Sequence, residues 1–172
     1  MALAMQAAED AGAAPPTIME VAGDGDCLFH ALNVAMDGPI EREHPRVLRR
    51  KICDYLGRPA GDPMRLDGTY GTQVEVGAVC GLRGFEVVVY NDLGDLVYRT
   101  APTDRDRELH GRPGSVYLIC VGVRADGLAV TAEGEHYQPV AHANHATPAE
   151  VRALVINFRG PLRGAPRSEQ RF

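Results

Sequence analysis

The sequence predicts an α+β domain in which a small central sheet is flanked by helices. In the first half of the chain, apolar residues recur at helical spacing over several segments. After residue 84 the period changes. Phe85–Tyr90 and Ser115–Val123 are runs of β-branched, aromatic and other apolar residues typical of strands. A chain of 172 residues is long enough to bury one core without metal or disulfide support.

Start and stop signals delimit the predicted helices. Residues 27–36 carry a helical apolar stripe that Asp37-Gly38-Pro39 ends, and a second helix is predicted for residues 44–56 with Pro45 in its first turn. Gly84 ends a third helix that begins at Gln73. The last helix, ending near Phe158, has Thr147 as N-cap, Pro148 at its first position and Glu150 three residues after the cap.

The remaining segments are predicted as strands, loops and tails. Short strands are expected at residues 17–21, 96–98 and 136–140, a turn at 125–127, and loops at 61–69 and 101–113. Residues 1–16 are predicted to be a disordered N-terminal segment, and residues 161–172 a flexible tail. The domain itself is expected to cover residues 17–160.

Charge and hydropathy narrow the function classes. The net charge of −5 argues against nucleic acid as the main partner, because phosphate binding needs a concentrated basic face. No apolar run approaches the roughly 20 residues that span a bilayer, and the N-terminus does not resemble a secretory signal. We therefore expect a cytoplasmic protein that binds neither nucleic acid nor membrane, and a monomer.

The four cysteines differ in their surroundings. Cys53, Cys80 and Cys120 lie in apolar stretches, where a free cysteine acts as a small buried hydrophobe. None of the four forms a CxxC pair, so a zinc ribbon or a dithiol redox site is not indicated. Cys27 stands apart, because glycine and aspartate precede it.

The segment Gly23-Asp24-Gly25-Asp26-Cys27 predicts an activated nucleophile. A cysteine at the start of a helix lies at the positive end of the helix dipole, which favours the thiolate. The glycines permit a tight turn whose N–H groups can face a developing oxyanion. The alternative is an ordinary turn with a cysteine at the start of the next helix, and composition alone does not separate the two.

His136 is the candidate general base. It lies in a predicted strand beside Tyr137, and a histidine on a rigid strand suits proton transfer. A structural histidine is the plain alternative. His136, His142 and His145 could also bind zinc, but no fourth ligand is obvious, so we expect no metal and no cofactor.

Two motifs resemble those of the ovarian-tumour (OTU) family of cysteine proteases. Asp24-Gly25-Asp26-Cys27-Leu28-Phe29 is similar to that family's nucleophile signature, and His136-Tyr137 to its histidine motif. Tyr70-Gly71 and the segment from Gln73 to Cys80, with Glu75, resemble its central helix. The resemblance extends over residues 18–140 and implies a papain-like fold.

The resemblance also implies roles for individual residues. Cys27 would be the nucleophile, His136 the base, and Asp24 with Gly25 and Asp26 the loop that shapes the oxyanion hole. The family usually has Asn or Asp two residues after the histidine, whereas this chain has Gln138. Gln138 is one candidate for orienting the imidazole, and Asn144 is a substitute by residue type.

The implied activity is deubiquitination without a cofactor. The partners would be ubiquitin, polyubiquitin chains or ubiquitin-like modifiers, met in the cytoplasm, or in the host's cytoplasm for a viral protein or a bacterial effector. The alternative is an OTU-fold module that binds ubiquitin with little turnover, and the departure at Gln138 motivates it.

Overall fold

A computed structural model describes residues 14–21, 23–36, 44–110, 114–122 and 136–158. Within these ranges the chain forms five strands, five α-helices and one short 3₁₀ helix at Pro63–Arg65. The strands are β1 (Thr17–Ile18), β2 (Glu86–Asn91), β3 (Leu96–Thr100), β4 (Ser115–Val121) and β5 (His136–Ala141). The helices are α1 (Cys27–Ala35), α2 (Pro45–Tyr55), α3 (Gln73–Arg83), α4 (Asp104–His110) and α5 (Pro148–Asn157).

The strands form one mixed sheet in the order β1-β5-β4-β2-β3. The central pair β2 and β4 is parallel, and the other neighbours are antiparallel. Strand β5 lies between β1 and β4. In its pairing with β4, His136, the first residue of β5, lies opposite Val121, the last residue of β4.

A separate hydrophobic core lies on each face of the sheet. Side chains of successive strand residues alternate between faces, so Val116 and Leu118 pack with α1, α2 and α3, whereas Tyr117 and Ile119 pack with α5. Cys27 belongs to the larger, three-helix core. The result is a helix–sheet–helix sandwich, which confirms the predicted α+β class.

The helix ends confirm the predicted signals. His44 is the N-cap of α2 with Pro45 after it, and Gly84 ends α3 in the left-handed conformation at φ 71°. Thr147 and Glu150 form the capping box of α5. The three outlying cysteines, Cys53, Cys80 and Cys120, are buried and take part in no disulfide, as predicted.

Helix α4 corrects the prediction of a loop across residues 101–113. Its residues include no buried side chain, so it lacks the apolar stripe by which helices are recognised in a sequence. A local cap starts it instead: the Thr103 hydroxyl accepts from the Asp106 N–H at 3.2 Å, and the Asp106 carboxylate accepts from the Thr103 N–H at 3.2 Å.

Some predictions lie outside the described residues. These are the turn at 125–127, the tail from residue 161, and residues 1–13 of the predicted disordered segment. Within the described ranges, no helix combines the length and apolar character that crossing a membrane requires.

Candidate active site

Cys27 is the first residue of α1, at the end of a tight turn that we call the nucleophile loop (residues 23–27). Asp24 organises this loop. Its carboxylate accepts from the Asp26 N–H at 3.0 Å, and its carbonyl accepts from the Cys27 N–H at 3.1 Å. Cys27 is only 1% exposed, and its sulfur interacts with the backbone N–H of Tyr137 on β5.

A backbone contact explains the glycine at position 25. A Cβ atom placed on Gly25 would lie 1.6 Å from the Gly68 carbonyl oxygen, which is far inside any permitted contact. Gly68 itself has φ +80°, a conformation that L side chains rarely adopt. The nucleophile loop therefore packs directly on the turn that contains Gly68, backbone against backbone.

Arg49 of α2 binds the same two segments from inside. Its Nη2 donates to the Asp26 carboxylate at 2.5 Å, to the Gly25 carbonyl at 3.2 Å and to the Thr69 carbonyl at 2.8 Å. Its Nη1 donates to the Met64 carbonyl at 2.8 Å. Arg49 is 1% exposed, so the guanidinium end of each bond is shielded from solvent, which strengthens the bonds.

His136 lies against the other side of the nucleophile loop. A Cβ atom on Gly23 would meet the imidazole Nδ1 at 3.5 Å, so the ring covers this glycine. Nδ1 is buried and has no hydrogen-bond partner among the described residues. No hydrogen bond joins the ring to the Cys27 thiol, a looseness that is common in cysteine and serine sites without substrate.

Burial leaves both candidate catalytic groups uncharged. It raises the pKa of the Cys27 thiol, and the nearby Asp24 carboxylate raises it further, against opposing backbone N–H groups of Tyr137, Leu28 and Cys27 itself. Burial also lowers the pKa of His136, against the opposing charges of Glu20 and Asp24. At neutral pH the pair is therefore a thiol and a neutral imidazole rather than an ion pair, so the thiolate expected from the helix position of Cys27 is not the resting form.

Asp26 is bound by groups outside the nucleophile loop. Burial alone would raise the pKa of its carboxyl group, but the Gly68 N–H and the Arg49 guanidinium together lower it. Asp26 is therefore an ionised partner of Arg49, and its carboxylate faces away from the sulfur.

The structure does not form the expected contacts between His136 and the two candidate orienting residues. Gln138 is 4% exposed and, by strand alternation, lies on the same face of the sheet as His136, yet no hydrogen bond joins the two side chains. The Asn144 carbonyl accepts from the Ser115 N–H at 3.1 Å, at the start of β4, whereas His136 pairs with the last residue of β4. Asn144 is therefore roughly 20 Å from His136 along the strand direction.

The same separation argues against the histidine zinc site. His142 and His145 follow the far end of β5, whereas His136 begins it. Among the described residues, no three His, Cys, Asp or Glu side chains cluster in a way that could hold a metal ion.

Sequence reasoning missed three residues of this site. Arg49 and Gly68 contact residues that lie more than 20 positions away in the chain. No local sequence pattern therefore predicts their role. Glu20 follows β1, where the Met19 N–H donates to the Pro139 carbonyl at 3.0 Å; continuing that register places Glu20 opposite Gln138, near His136. Only the strand pairing reveals this carboxylate.

The fold is similar to that of solved OTU domains. An OTU domain in complex with ubiquitin superposes with a TM-score of 0.52 at 15% identity, covering 91% of this chain and 88% of the other. An OTU deubiquitinase from Wolbachia pipientis wMel gives 0.50 at 12% identity, covering 81% and 96%. No protein-family profile and no curated protein sequence matches the chain. The chain therefore has the OTU-type, papain-like fold that its two motifs predict.

Proposed function

We propose that the protein is a deubiquitinating cysteine protease with Cys27 as nucleophile and His136 as general base. It would hydrolyse the peptide or isopeptide bond at the C-terminus of ubiquitin or a ubiquitin-like modifier. The similarity to an OTU domain solved with ubiquitin supports this substrate class. The expected place of action is the cytoplasm, or the host's cytoplasm for a viral protein or an effector.

The observation that carries the proposal is the unpaired Nδ1 of His136. This nitrogen is buried, has no hydrogen-bond partner in the part of the chain that the structure describes, and lies against Gly23, in the loop that ends at Cys27. A buried acceptor without a partner costs about 1–3 kcal/mol, so its presence calls for an explanation. A neutral imidazole whose free nitrogen faces the nucleophile loop can accept the thiol proton.

The chemistry follows from these positions. The Cys27 sulfur attacks the carbonyl carbon as its proton passes to His136, and the imidazolium then protonates the leaving lysine amine. Water, activated by the neutral imidazole, hydrolyses the resulting thioester and releases the modifier's C-terminal carboxylate. Because thiol and imidazole are neutral before attack, His136 acts as a true general base here.

One N–H group of the nucleophile loop, that of the buried Gly25, has no acceptor among the described residues. Asp24 already binds the N–H groups of Asp26 and Cys27. We expect the Gly25 N–H to be the main loop donor, with the Cys27 N–H shared between Asp24 and the oxyanion.

A ubiquitin probe with a C-terminal electrophile tests the proposal. The parent protein is expected to form a covalent adduct at Cys27, located by peptide mass spectrometry, and Cys27→Ser is expected to form none. A folded parent protein that remains unlabelled at high probe concentration would overturn the assignment. Cleavage of a panel of diubiquitins then defines the linkage preference.

The alternative is an OTU-fold module that binds ubiquitin with little turnover. The buried sulfur and the absence of a hydrogen bond between Cys27 and His136 favour it. Under this alternative, calorimetry detects ubiquitin binding while the electrophilic probe leaves Cys27 free.

A further inference from the structure

Asp26 occupies the N-cap position of α1 but does not cap it. Its carboxylate makes no capping hydrogen bond, although aspartate at this position ordinarily accepts from an N–H of the first helical turn. The carboxylate instead accepts from Arg49 Nη2 at 2.5 Å and from the Gly68 N–H at 3.1 Å. It is therefore turned away from its own helix.

Arg49 is held too firmly to follow a moving carboxylate. Its Nη1 and Nη2 also donate to three backbone carbonyls, and its guanidinium lies over the Phe29 ring at 4.1 Å from the centroid, although the buried Nε has no partner among the described residues. Within the described ranges, Asp26 is the carboxylate that balances this buried charge. The packing of α2 thus fixes the position of the Arg49 guanidinium, and with it the side of the loop to which the Asp26 carboxylate is bound.

The displaced carboxylate has a consequence at the sulfur. The Leu28 N–H interacts with the Cys27 sulfur and opposes the rise in its pKa. A carboxylate turned back to cap α1 would compete for this N–H group and place a second negative charge, beside that of Asp24, near the nucleophile.

We propose that Arg49 is a positioning residue for the nucleophile: it holds the Asp26 carboxylate on the Gly68 side and so leaves the first turn of α1 to the Cys27 sulfur. The role rests on Cys27 being the reactive residue of the proposed function, but it concerns the thiol and requires no substrate. Arg49 itself touches neither the sulfur nor any reacting atom.

Other charges face the same sulfur or its neighbours and must be held constant in a test. Asp24 and His30 lie on the nucleophile loop and α1, and His136 lies on β5 with Glu20 nearby. None of these residues is changed in the variants below, so their effects on Cys27 are common to all of them.

The test is the pH dependence of Cys27 alkylation by iodoacetamide, read at the Cys27 peptide by mass spectrometry. We compare the parent with Arg49→Gln, Asp26→Ala and the double variant. Arg49→Gln is expected to shift the alkylation profile toward alkaline pH by about one unit, which slows the reaction near neutral pH about tenfold. In the double variant, where no carboxylate is left to turn back, most of the parent's reactivity should return.

The proposal would be overturned by a folded Arg49→Gln variant that has the parent's alkylation profile. It would also be overturned by a double variant whose Cys27 is alkylated as slowly as that of Arg49→Gln. If Arg49→Gln does not fold, Asp26→Ala decides: a profile at or below the parent's pH supports the role, and an alkaline shift contradicts it. Failure of the ubiquitin probe to label Cys27 would refute the proposed function while leaving this measurement intact.

Discussion

The nucleophile loop and the start of β5 supply the two halves of the candidate site, and the protein holds them differently. The loop is bound on three sides: by Asp24 from within, by Arg49 from α2, and by the Gly68 backbone. His136 is positioned by its strand and by packing on Gly23, but its Nδ1 has no hydrogen-bond partner within the described ranges.

This difference suggests where the site is preorganised and where it adjusts. The loop must present N–H groups to an oxyanion within tenths of an ångström, and a rigid backbone suits that task. The imidazole must approach the sulfur, accept its proton and then deliver that proton to the leaving group. A ring whose Nδ1 is not held by a hydrogen bond can make these movements. The following four changes probe the two halves in turn.

The largest effect is expected from Cys27→Ala, which removes the nucleophile. Cleavage of a fluorogenic ubiquitin substrate should fall by at least about 10³-fold, because only binding and oxyanion stabilisation remain. Ubiquitin affinity, measured by calorimetry, should change little. Cys53→Ala, another buried free cysteine, is the matched control and should retain turnover. Near-parental cleavage by the Cys27 variant would exclude the mechanism.

Gly25→Ala should have the next largest effect on kcat, because it disturbs the nucleophile loop, the rigid half of the site. The new methyl group would meet the Gly68 carbonyl oxygen at 1.6 Å, so one backbone segment must move. A displacement of about 1 Å at the oxyanion donor should cost on the order of a hundredfold in kcat. Thermal unfolding should also show a loss of about 1–3 kcal/mol.

Gly61→Ala is the matched control for that variant. A Cβ atom at Gly61 has nothing within 4 Å, so the substitution should leave kcat unchanged. Should Gly25→Ala match Gly61→Ala in kcat, the contact with Gly68 would have no catalytic importance, and the comparison between the two halves would fail.

Gln138→Ala tests the less constrained half and should cost less. Since no hydrogen bond joins Gln138 to His136 before substrate binds, we expect a fall in kcat of about tenfold, or roughly 1.4 kcal/mol of barrier. Asn144→Ala should have no effect, because Asn144 lies beside Ser115 at the opposite end of β4. A hundredfold loss in Gln138→Ala would instead mean that Gln138 closes onto the imidazole in the complex.

The smallest effect concerns stability in mild acid. Burial lowers the pKa of His136 in the folded state, so below about pH 6.5 the unfolded chain binds a proton that the folded chain does not. The free energy of unfolding should therefore fall with decreasing pH across this window, by less than about 1.4 kcal/mol per unit from this group. Urea titrations of parent and His136→Gln should show a shallower fall in the variant.

Much of the local structure could be predicted because its causes are local. The capping box of Thr147 and Glu150, the proline after His44 and the left-handed Gly84 act within a few residues, so the ends of α2, α3 and α5 follow from the sequence. Helix α4 was missed because it contributes nothing to the core, and the apolar period carries no signal for a solvated helix.

The site divides in the same way. Cys27 at a helix start and His136 on a strand could be recognised from their neighbours in the chain. The orienting role predicted for Gln138 and Asn144 relied on residue type and distance along the chain, and the register of β5 separates Asn144 from the imidazole. Whether Gln138 orients His136 in the complex stays a prediction.

The sequence by itself determined the α+β class, the helices with strong caps, and a cysteine at the positive end of a helix after a tight glycine turn. Only the tertiary structure decided the strand order that sets His136 against Gly23, and the burial that leaves both groups uncharged. It alone also reveals Arg49 turning the Asp26 carboxylate away from α1. The physical reason is the distance along the chain over which the interactions act. Caps and turns involve neighbouring residues, whereas the pairing of buried charges and the register of the strands involve segments that meet only after the core has formed.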